Sequence, residues 1–510
     1  MASEEKGKAK ILSIIIPVAC AIIFMILCMI GLRNSIWFDE SYSAYLIRGN
    51  FSDIWSLTAI DVHPPFYYFC LKIWSLIFGT SDIALRSMSV FFGALSIIFM
   101  FHLLKHWFGV KVSSVATFFL SLSPMLIRYG QEMRMYTLVF LIVVLATYVL
   151  ELALDTKKTR YFILYAVLIS LGMWTQYLTA IAWITHIIYY MTTRRGKIWD
   201  KKFLATYALA AALFVPWIPF FIKQTNSVQG GFWIPELSLS TVVSYVSESL
   251  IFKDAGNTSN WLVILLLAVI SAVIFAAVKI YKNFKASEKH GFLFLLSLVA
   301  LPPIILMLLS VPPFKPIFMS RYVTYAAALA WALIGVAVAK KVCTSPHTSV
   351  KNSRLKVAIN VIFFIALVFL TLGTAILGIV NVENRETEGH AKQAVLAIST
   401  VSESGTPIIP FDEWVYYDTV FYSTGEHPVY GLSSLVDIPY DSFRPIEHYK
   451  YNMIYDDETF LANQHQAWYI IKTSELPEDM SEFELPDILK DYRITTDISD
   501  QYYTSFLLEK

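Results

Sequence analysis

The chain has 510 residues, 56% hydrophobic and 15% charged, where a soluble globular protein carries about 45–50% apolar and about 25% charged residues. That excludes a soluble enzyme and points to a polytopic membrane protein. The net charge of +1 gives no nucleic-acid signal and conceals two opposed regions: residues 1–380 hold 32 bases and 15 acids, residues 381–510 hold 8 bases and 24 acids.

A spanning helix needs about 20 mostly apolar residues. In chain order, eleven segments are predicted: Ile11–Leu32, Ile83–Lys105, Val112–Ile127, Met135–Leu154, Tyr161–Trp174, Leu178–Met191, Phe203–Ile222, Trp261–Ile280, Phe292–Val311, Met319–Val338 and Val357–Val380. Tyr161–Trp174 and Leu178–Met191 are short, and Gln176-Tyr177 between them reads as a turn at one interface. The first run is too long for a signal peptide and no small-residue cleavage site follows it, so it reads as an uncleaved span. With the N-terminus in the cytoplasm, the inner segments carry 22 of the 32 bases of residues 1–380, as the positive-inside rule requires. An odd count then places residues 381–510 outside. The four cysteines, Cys20, Cys28, Cys70 and Cys343, form no disulfide framework and none lies in the acidic region. The absence of eukaryotic targeting signals favours a prokaryotic cell membrane.

Residues 1–380 are therefore expected to form an α-helical membrane domain with a long first outer loop, 33–82, and residues 381–510 a small extracytoplasmic α/β domain. In the latter, helices are predicted at Glu386–Thr400 and Glu413–Ser423. Strands are predicted at Pro407–Phe411, His427–Tyr430, Ala467–Ile471, Tyr492–Ile498 and Tyr502–Leu508.

The chemistry-bearing residues gather in the outer loops. Asp39-Glu40 and Asp61 share the first; two acidic sites there suit a division between base and binding roles, or a metal held by Asp39 and Asp61. Pro64-Pro65 fixes the backbone next to His63. Glu132, Arg134 and Tyr136 stand at a membrane boundary, and an outer arginine near carboxylates suits a phosphate. Lys315, Arg321 and Tyr322 bring further cations to the outer side, suited to a lipid phosphate. The inert readings are solvated loop acids, structural ion pairs and headgroup anchors. No Gly-rich phosphate loop is present, so no nucleotide cofactor is expected.

Several ordered segments carry a resemblance. Trp37-Phe38-Asp39-Glu40-Ser41-Tyr42-Ser43 comes first, then Asp61-Val62-His63-Pro64-Pro65-Phe66-Tyr67-Tyr68. Phe78-Gly79 through Leu85-Arg86 and Gln131-Glu132-Met133-Arg134-Met135-Tyr136 follow, with Pro216-Trp217-Ile218-Pro219 and Arg321-Tyr322 further on. Together these resemble the family 39-type polytopic glycosyltransferases, the group of protein O-mannosyltransferases and the aminoarabinose transferase of lipid A. Gln176-Tyr177 departs from a His-Tyr pair common in that family. The resemblance covers roughly residues 11–340 and implies the GT-C architecture. It implies an inverting transfer from a polyprenyl-phosphate sugar, with the first-loop aspartate, Asp39, as general base.

On that reading Glu40, Asp61 and His63 shape the acceptor side or hold a divalent metal (Mg, Mn or Zn), Glu132 assists, and Arg134, Lys315 and Arg321 face the donor phosphate. The acceptor is a glycan, lipid or protein hydroxyl. The rival readings are a lipid-linked sugar transporter or flippase, and a non-catalytic membrane scaffold. Transport predicts ionisable residues lining mid-span and repeated halves, whereas here charges collect at the ends of the spans.

Overall fold

The structure is a computed structural model that describes residues 2–197, 199–229, 234–251, 281, 284–343, 391–423, 425–437 and 443–510. The expected spans Trp261–Ile280 and Val357–Val380 lie outside these residues. The chain divides into two compact units. One comprises Met1–Leu32, Val62–Tyr67 and Arg86–Asn384, the other Arg33–Asp61, Tyr68–Leu85 and Arg385–Lys510.

The chain is mostly helical. From the N-terminus run α1 (Ala2–Met29), α2 (Phe38–Leu46), α3 (Phe51–Thr58), α4 (Phe66–Phe78), α5 (Asp82–Ser121), α6 (Pro124–Gly130), α7 (Tyr136–Thr156), α8 (Thr159–Thr175), α9 (Ala180–Thr192), α10 (Lys201–Phe214), α11 (Ile218–Gln229), α12 (Leu239–Ile251), α13 (Ala286–Leu308) and α14 (Thr324–Cys343). Among the described residues six stretches are long and apolar enough to cross a membrane: Lys10–Met29, Asp82–Ser121, Tyr136–Thr156, Lys201–Asn226, Ala286–Leu308 and Ser320–Lys340. The chain is a multi-pass membrane protein.

Local chemistry sets the breaks. α5 runs for 40 residues, but Gly109 at φ 76° and ψ 173° interrupts it, a conformation open to glycine alone. The interruption falls between the two spans expected there. The second of these, expected to reach Ile127, stops at Ser121, because Ser123 precedes Pro124 and takes an extended ψ of 119°, as residues before proline do. Pro216 likewise breaks the expected Phe203–Ile222 into α10, a short 3-10 turn and α11. Gln176 is extended, and a 3-10 turn at Tyr177–Thr179 separates α8 from α9, as the sequence predicts.

Within the helical unit α7 packs on α8, and α8 on α10. A buried charge needs partners, and Glu151 on α7 has three: it accepts from Trp107 Nε1 at 2.8 Å, Tyr189 OH at 2.9 Å and Arg194 Nη2 at 2.8 Å.

In the second unit the loop over 33–82 is ordered as helices, which the sequence reading did not anticipate. α3 is capped by Asn50, whose side chain accepts from the Ser52 and Asp53 amides, while Asp53 accepts from the Asn50 amide. The C-terminal elements of the same unit are α15 (Ala391–Val401), β1 (Ile408–Pro410), α16 (Glu413–Val420), β2 (Gly431–Leu432), α17 (Arg444–Tyr449), β3 (Met453–Ile454), α18 (Asp457–Ala462), β4 (Gln466–Lys472), β5 (Arg493–Ser499) and β6 (Tyr503–Glu509).

The main sheet has the order β1-β4-β6-β5, with β1 parallel to β4 and the other pairs antiparallel. Alternation along β4 and β6 sends Tyr469, Ile471, Phe506 and Leu508 into a core with Ile409, Leu461, Leu489 and Tyr492. α15 and α16 pack on the sheet. The strand expected at His427–Tyr430 is reduced to one bridge, Val429 to Ile408, and the short strand forms at Gly431–Leu432, paired with β3.

Candidate functional site

In the unit built from the first loop and the C-terminal region, Asp39 and Glu40 occupy the first turn of α2. That is where the helix dipole favours negative charge. Successive helical residues diverge by about 100°, and burial separates the two acids: Asp39 is half-buried, whereas Glu40 is fully buried. Of this pair, Asp39 alone keeps part of its surface exposed.

Asp61 is buried beside Tyr42, three residues after Asp39. Burial together with this carboxylate holds the Tyr42 phenol well above its ordinary range. Burial, Tyr45 and Asp61 do the same for Tyr417.

A stripe of α2, Phe38, Ser41, Tyr42 and Tyr45, meets α16 and its neighbours. The Phe38 ring lies 4.2 Å from Trp414 and 5.6 Å from Phe443, and Tyr45 lies 5.0 Å from Tyr417. Ser41 Oγ is 2.7 Å from Asp418 Oδ1, and the Tyr45 and Tyr416 hydroxyls are 3.2 Å apart. Tyr449 OH donates to the Leu46 carbonyl at the C-terminal end of α2. Ahead of α2, the Ile36 amide donates to Tyr422 OH at 2.8 Å. Lys392 Nζ reaches the Arg33 carbonyl at 3.0 Å and Asp82 at 2.6 Å. Sequence reasoning missed all of these, because the partners lie hundreds of residues apart and no local pattern links them.

In the helical unit Arg134 is buried, and its Nη2 stands 3.4 Å from His63 Nε2. A guanidinium only donates, so His63 accepts at Nε2 and carries its proton on Nδ1. Glu132 pairs with Arg128 at 3.6 Å. Tyr136 opens α7 with its ring 4.5 Å from that of Tyr129.

Lys315 is exposed. Arg321 and Tyr322 are half-buried in a 3-10 turn before α14, with the guanidinium carbon 5.8 Å from the Tyr322 ring centre. The structure thus joins His63 to Arg134, Arg321 to Tyr322 and Glu132 to Arg128.

Among the described residues no group of three or more His, Cys, Asp or Glu is placed to hold a metal ion, so Asp39 and Asp61 have no further donor of these types completing a set with them. A cavity of about 420 Å³, lined by Lys157, Arg194, Arg195 and Lys197 among others, contains none of the expected site residues.

Residues 62–220 match the family model described as dolichyl-phosphate-mannose-protein mannosyltransferase. No curated protein matches the chain in sequence. Among solved structures, ArnT from Cupriavidus metallidurans bound to undecaprenyl phosphate is similar with a TM-score of 0.60 at 13% identity, over 97% of each chain. The oligosaccharyltransferase AglB from Archaeoglobus fulgidus, in complex with an inhibitory peptide and a dolichol-phosphate, gives a TM-score of 0.50 at 13% identity, over 90% of this chain and 69% of the other. The fold is the GT-C fold of these glycosyltransferases, with a small C-terminal sheet region, and the resemblance carried by the motifs holds.

Proposed function

We propose that this GT-C chain is a membrane glycosyltransferase that moves a sugar from a polyprenyl-phosphate donor to an acceptor hydroxyl at the outer face of the cell membrane. The observation that carries the reading is the likeness over 97% of both chains to a structure that binds undecaprenyl phosphate. The order of the outer-loop motifs supports it.

Asp39 is the general base. Its carboxylate takes the proton of the acceptor hydroxyl as the oxygen attacks the anomeric carbon from the face opposite the phosphate. The bond from that carbon to the phosphate oxygen breaks, its electron pair leaves with the polyprenyl phosphate, and the configuration inverts. The leaving phosphate gains one negative charge, and Arg134, Lys315 and Arg321 are the cations assigned to it.

Asp61 and Glu40 shape the acceptor side, and the His63–Arg134 pair orients the guanidinium. The acceptor is a glycan, lipid or protein hydroxyl. Among the described residues no group of three or more His, Cys, Asp or Glu is placed to hold a divalent metal.

The test is transfer of labelled sugar by the purified protein from undecaprenyl-phosphate-linked mannose, glucose, galactose and aminoarabinose, with bound lipid identified by mass spectrometry. Consumption of one donor with inversion is the expected result. A protein that copurifies with no polyprenyl phosphate and consumes no such donor would refute the reading.

A further inference from the structure

α2 is nine residues long, too short to hold its own shape in water, so its order comes from what it packs on. One polar link runs from Ser41 to Asp418. Ser41 Oγ lies 2.9 Å from the Phe38 carbonyl and 2.7 Å from Asp418 Oδ1. A hydroxyl has one proton to give. When Ser41 donates to Phe38, a protonated Asp418 donates to Ser41; when Asp418 is ionised, Ser41 donates to it. The link stands in both states.

Asp418 is buried, and its other oxygen accepts from Tyr503 OH of β6 at 3.3 Å. Lys472 of β4 and Asp412 at the start of α16 are the charged groups that act on it. One carboxyl therefore ties the turn carrying Asp39 to the sheet.

We propose that Asp418 is a positioning residue: through Ser41 it fixes the first turn of α2 and so holds the Asp39 carboxylate where it removes the acceptor proton. This rests on the reading of Asp39 as base. It gives the C-terminal region a part in the reaction beyond covering the first loop. Displacing a reacting group by about 1 Å costs on the order of 100-fold in rate, and loss of one tether to a helix that keeps its other contacts costs less.

The experiment compares wild type, Ser41→Ala, Asp418→Ala, Asp418→Asn, the Ser41→Ala/Asp418→Ala double variant and Asp39→Asn in single-turnover transfer, with the donor that wild type consumes from the panel above. Ser41→Ala and Asp418→Ala each slow the chemical step about tenfold and leave donor KM within about twofold. The double variant is no slower than the slower single, since both remove the same link. Asp418→Asn, which still bridges to Ser41, is faster than Asp418→Ala.

Amide hydrogen exchange over residues 40–46, which needs no donor, quickens in Ser41→Ala and Asp418→Ala. Ser41→Ala removes one small hydroxyl and serves alone if Asp418→Ala fails to fold. A wild-type rate in Ser41→Ala, multiplicative losses in the double variant, or unchanged exchange would each overturn the proposal. Near-normal turnover in Asp39→Asn overturns the base assignment beneath it instead, whatever Ser41 and Asp418 do.

Discussion

Glu40 is fully buried and Asp39 is not, so the two adjacent acids of α2 are not interchangeable. Asp39→Asn keeps the size of the side chain and loses its ability to take a proton. Removal of a general base costs about 10²–10⁴ in rate, and transfer of labelled sugar under single-turnover conditions should fall by that factor while donor binding is kept. Near-normal turnover would pass the role to Asp61 or Glu132. The same scale separates the cations. Arg321 is half-buried, and a charge-assisted bond is worth about 1.5–3 kcal/mol, so Arg321→Ala should weaken undecaprenyl-phosphate binding by about 10–150-fold. Arg321→Lys should recover part of that, because lysine lacks the bidentate fork. Unchanged affinity measured by calorimetry would move the phosphate contact to Arg134. The motifs singled out these residues as candidates. Two of their contacts were not legible there: Glu132 pairs with Arg128, and Arg134 reaches His63, 71 positions away.

Gly109 and Asp418 show how elements are set by one residue each. A Cβ at Gly109 meets nothing within 4 Å, so Gly109→Ala carries only the conformational cost of a φ closed to alanine, about 1–3 kcal/mol. A lower unfolding midpoint in detergent, with the helix content kept, is the expected outcome. Asp418 behaves differently. Burial pushes its carboxyl up to about 7 from an ordinary 3.8, against the opposing pull of Ser41, Lys472 and Tyr503. A carboxyl raised in the folded state binds its proton more tightly there than when unfolded. Its stabilising contribution is therefore full below pH 4 and is lost as pH rises through 7. Asp418→Asn should flatten the stability decline between pH 4 and pH 7 by a few kcal/mol at most, read by denaturant unfolding across that range; an unchanged slope would assign the decline to other groups. The apolar runs made the spans readable, and Ser123-Pro124 and Pro216 explain where helices stop short. α2 escaped notice because its stripe is aromatic and polar, spread over only nine residues inside a stretch with acidic and proline-rich neighbours. The Ser41–Asp418 link crosses 377 positions of sequence, which no periodicity records.

At the scale of the whole chain, the first loop and the C-terminal region form one compact unit, and this bears on topology independently of charge. Two segments that hydrogen-bond to each other, as Ser41 and Asp418 do, lie on the same side of a membrane. On the proposed topology the number of crossings between them is even, and α1 is assigned one crossing before them. The topology we propose puts the N-terminus opposite the C-terminal region, the relation that the expected 22 inner bases out of 32 also predict. Single cysteines in a cysteine-free background make this measurable. Ser52 on α3 and Glu478 before β5 are exposed, as is Lys111 beside the Gly109 break. An impermeant maleimide added to intact cells should label Ser52→Cys and Glu478→Cys, and should reach Lys111→Cys after permeabilisation. Labelling of Lys111→Cys alone in intact cells would invert the orientation and place the transfer on the cytoplasmic side. Labelling of Ser52→Cys without Glu478→Cys would mean that the two segments stand on opposite sides, which the packing of α2 on α16 forbids.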